Sequence, residues 1–130
     1  MTSQVDARPR VVAVSSESAF LHLIQTLLDS LGLAVWTTSD WESTSSLVES
    51  VQPKLVILDL VPAREELCWL ALQRIRAHLA TRAIPVLVCP VAGWLLAGRE
   101  QLLGSRGVYV WPDGFELEDL LGTVQLALAA

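Results

Sequence analysis

Lysine and cysteine are both scarce in this sequence. Lys54 is the only lysine, and nine basic residues stand against fourteen acidic ones, which gives a formal net charge of −5. This balance disfavours nucleic-acid binding through a basic face, because phosphate backbones attract positive surfaces. The two cysteines, Cys68 and Cys89, have no CxxC partner. The sequence therefore predicts two small buried apolar side chains and no disulfide framework.

A long apolar run is also missing. Residues 84–98 carry no charge, but a membrane-spanning helix needs about 20 such residues, and Pro85 and Pro90 interrupt this stretch. The polar residues 1–10 lack the apolar segment of a signal peptide. We therefore expect a soluble, cytoplasmic protein that does not contact a membrane.

Strand and helix patterns alternate along the 130 residues, of which 52% are apolar. We expect a tail at 1–9 and one domain at 10–130. Short β-branched runs predict strands at 10–16, 33–38, 54–60, 83–89 and 107–111. Apolar spacing predicts helices at 18–31, from Asp40 to about Val51, at 64–79 and 93–103, and after a capping box of Asp113 and Glu116. Five such β-α units predict an α/β fold in three layers, with a parallel sheet between two helix layers.

A single carboxylate, Asp59, closes the otherwise apolar strand LVILDL. In open parallel sheets the functional site lies beyond the carboxyl ends of the strands. The position of Asp59 therefore predicts a functional site there, and the alternative is a leftover carboxylate that accepts hydrogen bonds from loop N–H groups.

The βα spacing, LVILDL, IPVLV and the WP dipeptide together resemble the receiver domain of bacterial two-component response regulators, from about Arg10 to Ala129. The resemblance implies a flavodoxin-like receiver fold with strand order 2-1-3-4-5. It also implies that Asp59 is the phosphoacceptor, modified by a partner histidine kinase.

Several positions depart from the receiver pattern. Ser15 and Ser16 stand where the family has an acidic pair that holds Mg²⁺, and Pro90 stands at or next to the position of a hydroxyl residue. Trp111 replaces the lysine that pairs with the phosphoryl group, and Lys54 lies at the opposite end of its strand. Only Glu17 and Asp59 remain as weak candidate metal ligands.

These departures favour a degenerate receiver, which is not an enzyme, uses no cofactor and acts as a protein-interaction module. Its partner would be a histidine kinase, an output domain or a second copy of the chain. One alternative is a working phosphoacceptor that uses Mg²⁺ and Asp59. A third hypothesis, a small-molecule binder using Ser15, Ser16 and Ser18, is weakened because SSESAF lacks the glycine-rich pattern of phosphate-binding loops.

A docking patch is predicted on the face formed by the fourth helix, fifth strand and fifth helix, which commonly makes the partner or dimer contact in receivers. Tryptophan, tyrosine and arginine dominate the energetics of interfaces. The candidate residues are Trp94, Leu95, Arg99, Arg106 and Tyr109. A corollary hypothesis is that Trp111 plugs the phosphorylation pocket and holds one signalling state.

Overall fold

The fold consists of short strands joined by helices, as seen in a computed structural model that describes residues 7–111 and 117–129. The strands are Arg10–Val14 (β1), Ala34–Thr38 (β2), Leu55–Leu60 (β3), Val86–Pro90 (β4) and Val108–Val110 (β5). The α-helices are Ser18–Ser30 (α1), Thr44–Val51 (α2), Glu65–Ala77 (α3), Glu100–Leu103 (α4) and Leu117–Ala129 (α5). Two 3₁₀ turns lie at Pro62–Arg64 and Gly93–Leu96.

All strands pair in parallel, in the order β2-β1-β3-β4-β5. This order confirms the predicted flavodoxin-like receiver fold. Strand β3 is central, and all six of its residues are buried. An apolar run such as LVILDL is typical of a strand covered on both faces.

Two apolar clusters fill the space between the sheet and its helices. Alternate strand residues such as Val12, Val56 and Leu58 pack with α2 and α3 on one face. The intervening residues, such as Ala13 and Ile57, pack with α1 and α5 on the other. Because successive side chains of a strand point to opposite faces of the sheet, the strands supply core residues to both helix layers.

A glycine follows the carboxyl end of helix α1. Gly32 has φ +79°, a conformation that favours glycine. The N–H groups of Gly32 and Leu33 donate to the carbonyls of Asp29 and Leu28, which satisfies carbonyls at the helix end.

The prediction of one continuous helix over 93–103 is wrong. The segment is a 3₁₀ turn followed by the four-residue α4. Ala97 is extended and Gly98 has φ +81°, so the helical hydrogen-bond ladder breaks between them.

The uncharged stretch 84–98 forms β4 and this turn. Within the ranges that the structure describes, no helix combines the length and the apolar character that crossing a bilayer requires.

The predicted ends of the chain are described only in part. The capping box of Asp113 and Glu116 lies outside the described residues. Of the predicted tail, Arg8 lies 3.2 Å from Asp29, and the carbonyl of Pro9 accepts a hydrogen bond from the N–H of Ala34. The boundary at residue 10 stays a prediction.

Candidate functional site

Asp59 is the only charged residue among the buried residues of the described chain. It is the penultimate residue of β3, and 3% of its surface is exposed. Because the neighbouring strands run parallel to β3, their carboxyl ends meet at the same edge of the sheet. We call this edge, with Asp59, Ser15, Cys89, Pro90 and Trp111, the carboxyl-edge site.

Ser15 holds the Asp59 carboxylate. Its hydroxyl donates to Asp59 Oδ2 at 2.6 Å and accepts the backbone N–H of Glu17 at 2.9 Å. Ser15 itself is fully buried. The start of α1 thus orients the hydroxyl, and the hydroxyl orients the carboxylate.

The pKa of Asp59 is raised above its ordinary value. Burial is the largest cause, because it penalises the charged form, and the negative charge of Glu17 adds to it. The Ser15 hydrogen bond acts in the opposite direction. No lysine or arginine of residues 7–111 and 117–129 forms an ion pair with Asp59, so hydrogen bonding from Ser15 is its main stabilisation.

The two cysteines flank this carboxylate as neutral thiols. Cys89 is paired with Asp59 in the sheet register, and Cys68 lies on α3. Burial, followed by the charge of Asp59, raises the pKa of Cys68 to about 12 and raises that of Cys89 as well. Both are buried and free, which confirms the prediction from their spacing.

Pro90 and Trp111 lie at the same edge. Pro90 is the last residue of β4 and pairs with Leu60. It supplies neither a hydroxyl nor an N–H group. The N–H of Trp111 donates to the carbonyl of Val88 at 2.9 Å, which extends the β4–β5 register so that Trp111 lies beside Cys89.

The indole of Trp111 lies on the sheet face that Asp59 also shares. It packs against the cluster that contains Ile57 and Cys89, and Ile57 is two residues before Asp59 on the same strand. Its Nε1 is buried and has no hydrogen-bond partner among the described residues. An indole therefore occupies the end of β5, at the position where the receiver pattern has a lysine. The hypothesis that Trp111 plugs the phosphorylation pocket stays a prediction.

The oxygen donors of the carboxyl-edge site do not fit Mg²⁺ well. Mg²⁺ prefers carboxylates in an octahedral shell. Among the residues that the structure describes, Asp59 provides the only buried carboxylate, and it is already bonded to Ser15. Ser16 and Glu17 are exposed. No group of three or more His, Cys, Asp or Glu side chains in the described chain is arranged to hold a metal.

Lys54 lies at the opposite edge, as predicted. It is exposed, directly before β3, and its backbone N–H donates to the carbonyl of Arg10 at 2.7 Å. Its side chain therefore starts from the wrong end of the strand to reach Asp59.

The predicted docking patch is only partly assembled. Trp94 is 65% exposed, and Val91 beside it is 48% exposed. Leu95, however, is fully buried in the core, so its assignment to the patch is wrong. The 3₁₀ turn sends Trp94 outward and Leu95 inward.

The other three candidates are spread over the molecule. The guanidinium of Arg99 lies 5.2 Å from the ring centre of Trp69 and 3.8 Å from Glu66. Tyr109 is half-buried. Arg106 precedes β5, whereas Trp94 follows β4, so the two lie toward opposite edges of the parallel sheet.

A cavity lined by three arginines was not foreseen from the sequence. Arg76, Arg82 and Arg106 surround it at the amino-terminal edge of β4 and β5. The only sequence signal is that arginine, in a chain with one lysine, recurs just before two strands.

Comparison with known proteins identifies the fold. No protein-family model and no curated protein matches the sequence. Among solved structures, the receiver domain of a sensor histidine kinase from Pseudomonas aeruginosa PAO1 matches with a TM-score of 0.75 and 20% identity, over 95% of this chain and 100% of that one. That structure has a magnesium ion in its active-site cleft.

Two further structures agree. A sensor protein from Polaromonas sp. JS666 has a TM-score of 0.78 at 16% identity, covering 94% of this chain and 97% of that one. The chemotaxis protein CheY4 of Vibrio cholerae has a TM-score of 0.74 at 20% identity, covering 93% and 99%. The chain therefore has the fold of response-regulator receiver domains.

Proposed function

We propose that this chain is a signal-transduction receiver module that has lost phosphoryl switching and acts through constant protein contacts. The observation that carries the proposal is the environment of the Asp59 carboxylate. Its carboxylate is buried and bonded to Ser15, with no positive side chain paired to it among the described residues.

Phosphoryl transfer depends on positioning and on neutralising charge that spreads over the phosphoryl oxygens. The carboxyl-edge site offers a proline and an indole at the ends of β4 and β5. Neither group carries positive charge. An acyl phosphate on Asp59 would thus add negative charge beside a buried cluster without a cation to offset it.

The burial of Asp59 also disfavours an acyl phosphate at this position. Burial raises the pKa of Asp59, which means that the surroundings disfavour a negative charge already on the carboxylate. A doubly charged phosphoryl group at this position would be disfavoured further.

The signalling contact is proposed on the segment that follows β4. Val91 and Trp94 are both apolar and exposed there, next to the carboxyl edge. Tryptophan is one of the residues enriched among those that dominate binding energy at protein interfaces. The proposed partner is another signalling protein, or a second copy of the chain.

The alternative is a working phosphoacceptor, which the position of Asp59 at the carboxyl end of β3 favours. Incubation with acetyl phosphate and Mg²⁺, followed by intact-mass measurement, separates the two. We expect no added phosphoryl mass on this protein. A functional receiver domain that is treated in parallel serves as the positive control and should be labelled. The variant Ser15→Asp/Ser16→Asp/Trp111→Lys is the gain-of-function control. Labelling of the unmodified protein that is lost in Asp59→Asn would establish the alternative.

A further inference from the structure

A cavity of about 650 Å³ lies at the edge of the sheet opposite Asp59. It is formed where the chain enters β4 and β5. Arg76, Arg82, Arg106 and Tyr109 line it, with no aspartate or glutamate among its described lining residues. We call it the arginine cavity. Its volume lies within the range of roughly 300–1,000 Å³ that is usual for small-molecule sites.

Arg76 is fixed in place on the wall of this cavity. Its guanidinium donates to the carbonyl of Ile84 at 3.3 Å and to the carbonyl of Arg106. Burial lowers the pKa of Arg76, but arginine remains charged in proteins. The cavity therefore contains a positive charge that is positioned before any ligand arrives.

Gly107 makes this position possible. It has φ +89°, and a Cβ atom there would lie 3.1 Å from Arg76 Nη1. The absence of a side chain lets the guanidinium lie against the backbone at the start of β5. Arg106 and Tyr109, on either side of this positive-φ glycine, line the same space.

Arg82 and Arg106 bring two more positive charges. Both are exposed, and neither side chain forms an ion pair or a hydrogen bond within the described residues. Three like charges around one space repel each other, in a chain whose net charge is negative. An anion bound in the cavity would offset this repulsion, because it attracts all three arginines.

We propose that the arginine cavity binds a phosphate-bearing small molecule. The guanidinium fork matches phosphate oxygens in pairs. A phosphate ester carries close to two negative charges and three acceptor oxygens, so one or two such groups balance three arginines better than a single carboxylate does. The half-buried ring of Tyr109 provides an apolar wall for the rest of the ligand. This site is separate from the carboxyl-edge site and does not depend on the proposed signalling role.

The test is calorimetric titration with inorganic pyrophosphate at constant ionic strength. A chelator keeps divalent cations away from Asp59. The variant Arg82→Gln/Arg106→Gln removes two of the charges and leaves Arg76 with its two carbonyl partners. The matched control is Arg74→Gln, an exposed arginine of α3 that does not line the cavity.

We expect saturable binding at one site in the unmodified protein and in Arg74→Gln. The double variant should bind at least about tenfold more weakly, since a charge-assisted hydrogen bond contributes enough to change affinity by that factor. Circular dichroism establishes that the variants fold. Absence of saturable binding, equal loss in Arg74→Gln, or full binding by the double variant would overturn the proposal.

Two further arms sharpen the result. Asp59→Asn should bind pyrophosphate as the unmodified protein does, and a loss there would contradict the separation of the two sites. An acidic peptide of poly-glutamate should bind more weakly than pyrophosphate. Tighter binding of the peptide would replace the small-molecule proposal with a protein contact.

Discussion

The Ser15 hydroxyl and the Asp59 carboxylate, 44 positions apart in the sequence, meet at 2.6 Å where β1 and β3 end side by side. Both side chains are buried. A buried acceptor that loses its partner costs free energy because water cannot replace the missing hydrogen bond. The pair is therefore expected to contribute to stability as well as to the chemistry of the carboxyl edge.

Ser15→Ala removes the donor and leaves Asp59 unsatisfied. We expect the free energy of unfolding at neutral pH to fall by about 1–3 kcal/mol, measured by urea denaturation. Ser16→Ala is the control, because Ser16 is exposed and its change should stay within about 0.5 kcal/mol. Equal stability of both variants would show that the hydrogen bond is not stabilising.

The titration of Asp59 should contribute to the pH dependence of the free energy of unfolding. Its pKa is raised above the ordinary 3.8, so the folded protein keeps this proton at pH values where the unfolded chain has lost it. The contribution of Asp59 to stability therefore decreases as pH rises from 3.8 through the raised pKa.

Asp59→Asn removes this titration while keeping the shape of the side chain. We expect the asparagine variant to unfold at a higher urea concentration than the unmodified protein at neutral pH. The difference between the two urea midpoints, the stability gap, should become smaller in acid. Other carboxylates, such as Asp40, whose pKa is lowered by hydrogen bonds from Ser43, contribute equally to both proteins. A gap that widens in acid would contradict the raised pKa.

Two tryptophans should differ sharply in their effect on folding. Trp69 is 1% exposed within the core, and Trp94 is 65% exposed. Trp69→Ala should cost about 3–5 kcal/mol by opening a cavity, whereas Trp94→Ala should stay within about 0.5 kcal/mol. Thermal and urea unfolding measure both. A large loss in Trp94→Ala would indicate a structural role and weaken its assignment to a partner contact.

Two glycines should respond to alanine in opposite directions. Gly107 has φ +89° and touches Arg76, so Gly107→Ala should destabilise the protein by at least about 1–2 kcal/mol. Gly122 lies within α5, and a Cβ there has nothing within 4 Å. Gly122→Ala should stabilise by about 0.5–1 kcal/mol, because alanine is the better helix former. Melting temperatures compare the pair, and a stabilising Gly107→Ala would show that the turn is relaxed.

The elements were largely predictable because their signals are local. Alternating strand and helix patterns located the five strands, and the charge at the end of LVILDL located Asp59 at the carboxyl edge. The break in the fourth helix was missed, because an uncharged stretch with a suitable apolar pattern hides the effect of Gly98. Leu95 was misplaced for the same reason, since a 3₁₀ turn points its side chain toward the core.

The contacts that define the sites depend on long-range register and could not be predicted. The Ser15–Asp59 bond requires the exact pairing of β1 with β3. The arginine cavity requires that α3 and the two segments before β4 and β5 converge in space. Neither spacing nor composition encodes the distance between such segments.

The single lysine also provides a defined site for chemical attachment. Lys54 is exposed at the amino-terminal edge of β3, so amine coupling has one side-chain target besides the α-amino group. A surface or dye attached there lies at the edge of the sheet opposite to Asp59 and Trp94. Molecules that are attached through Lys54 present their proposed signalling end to the solution.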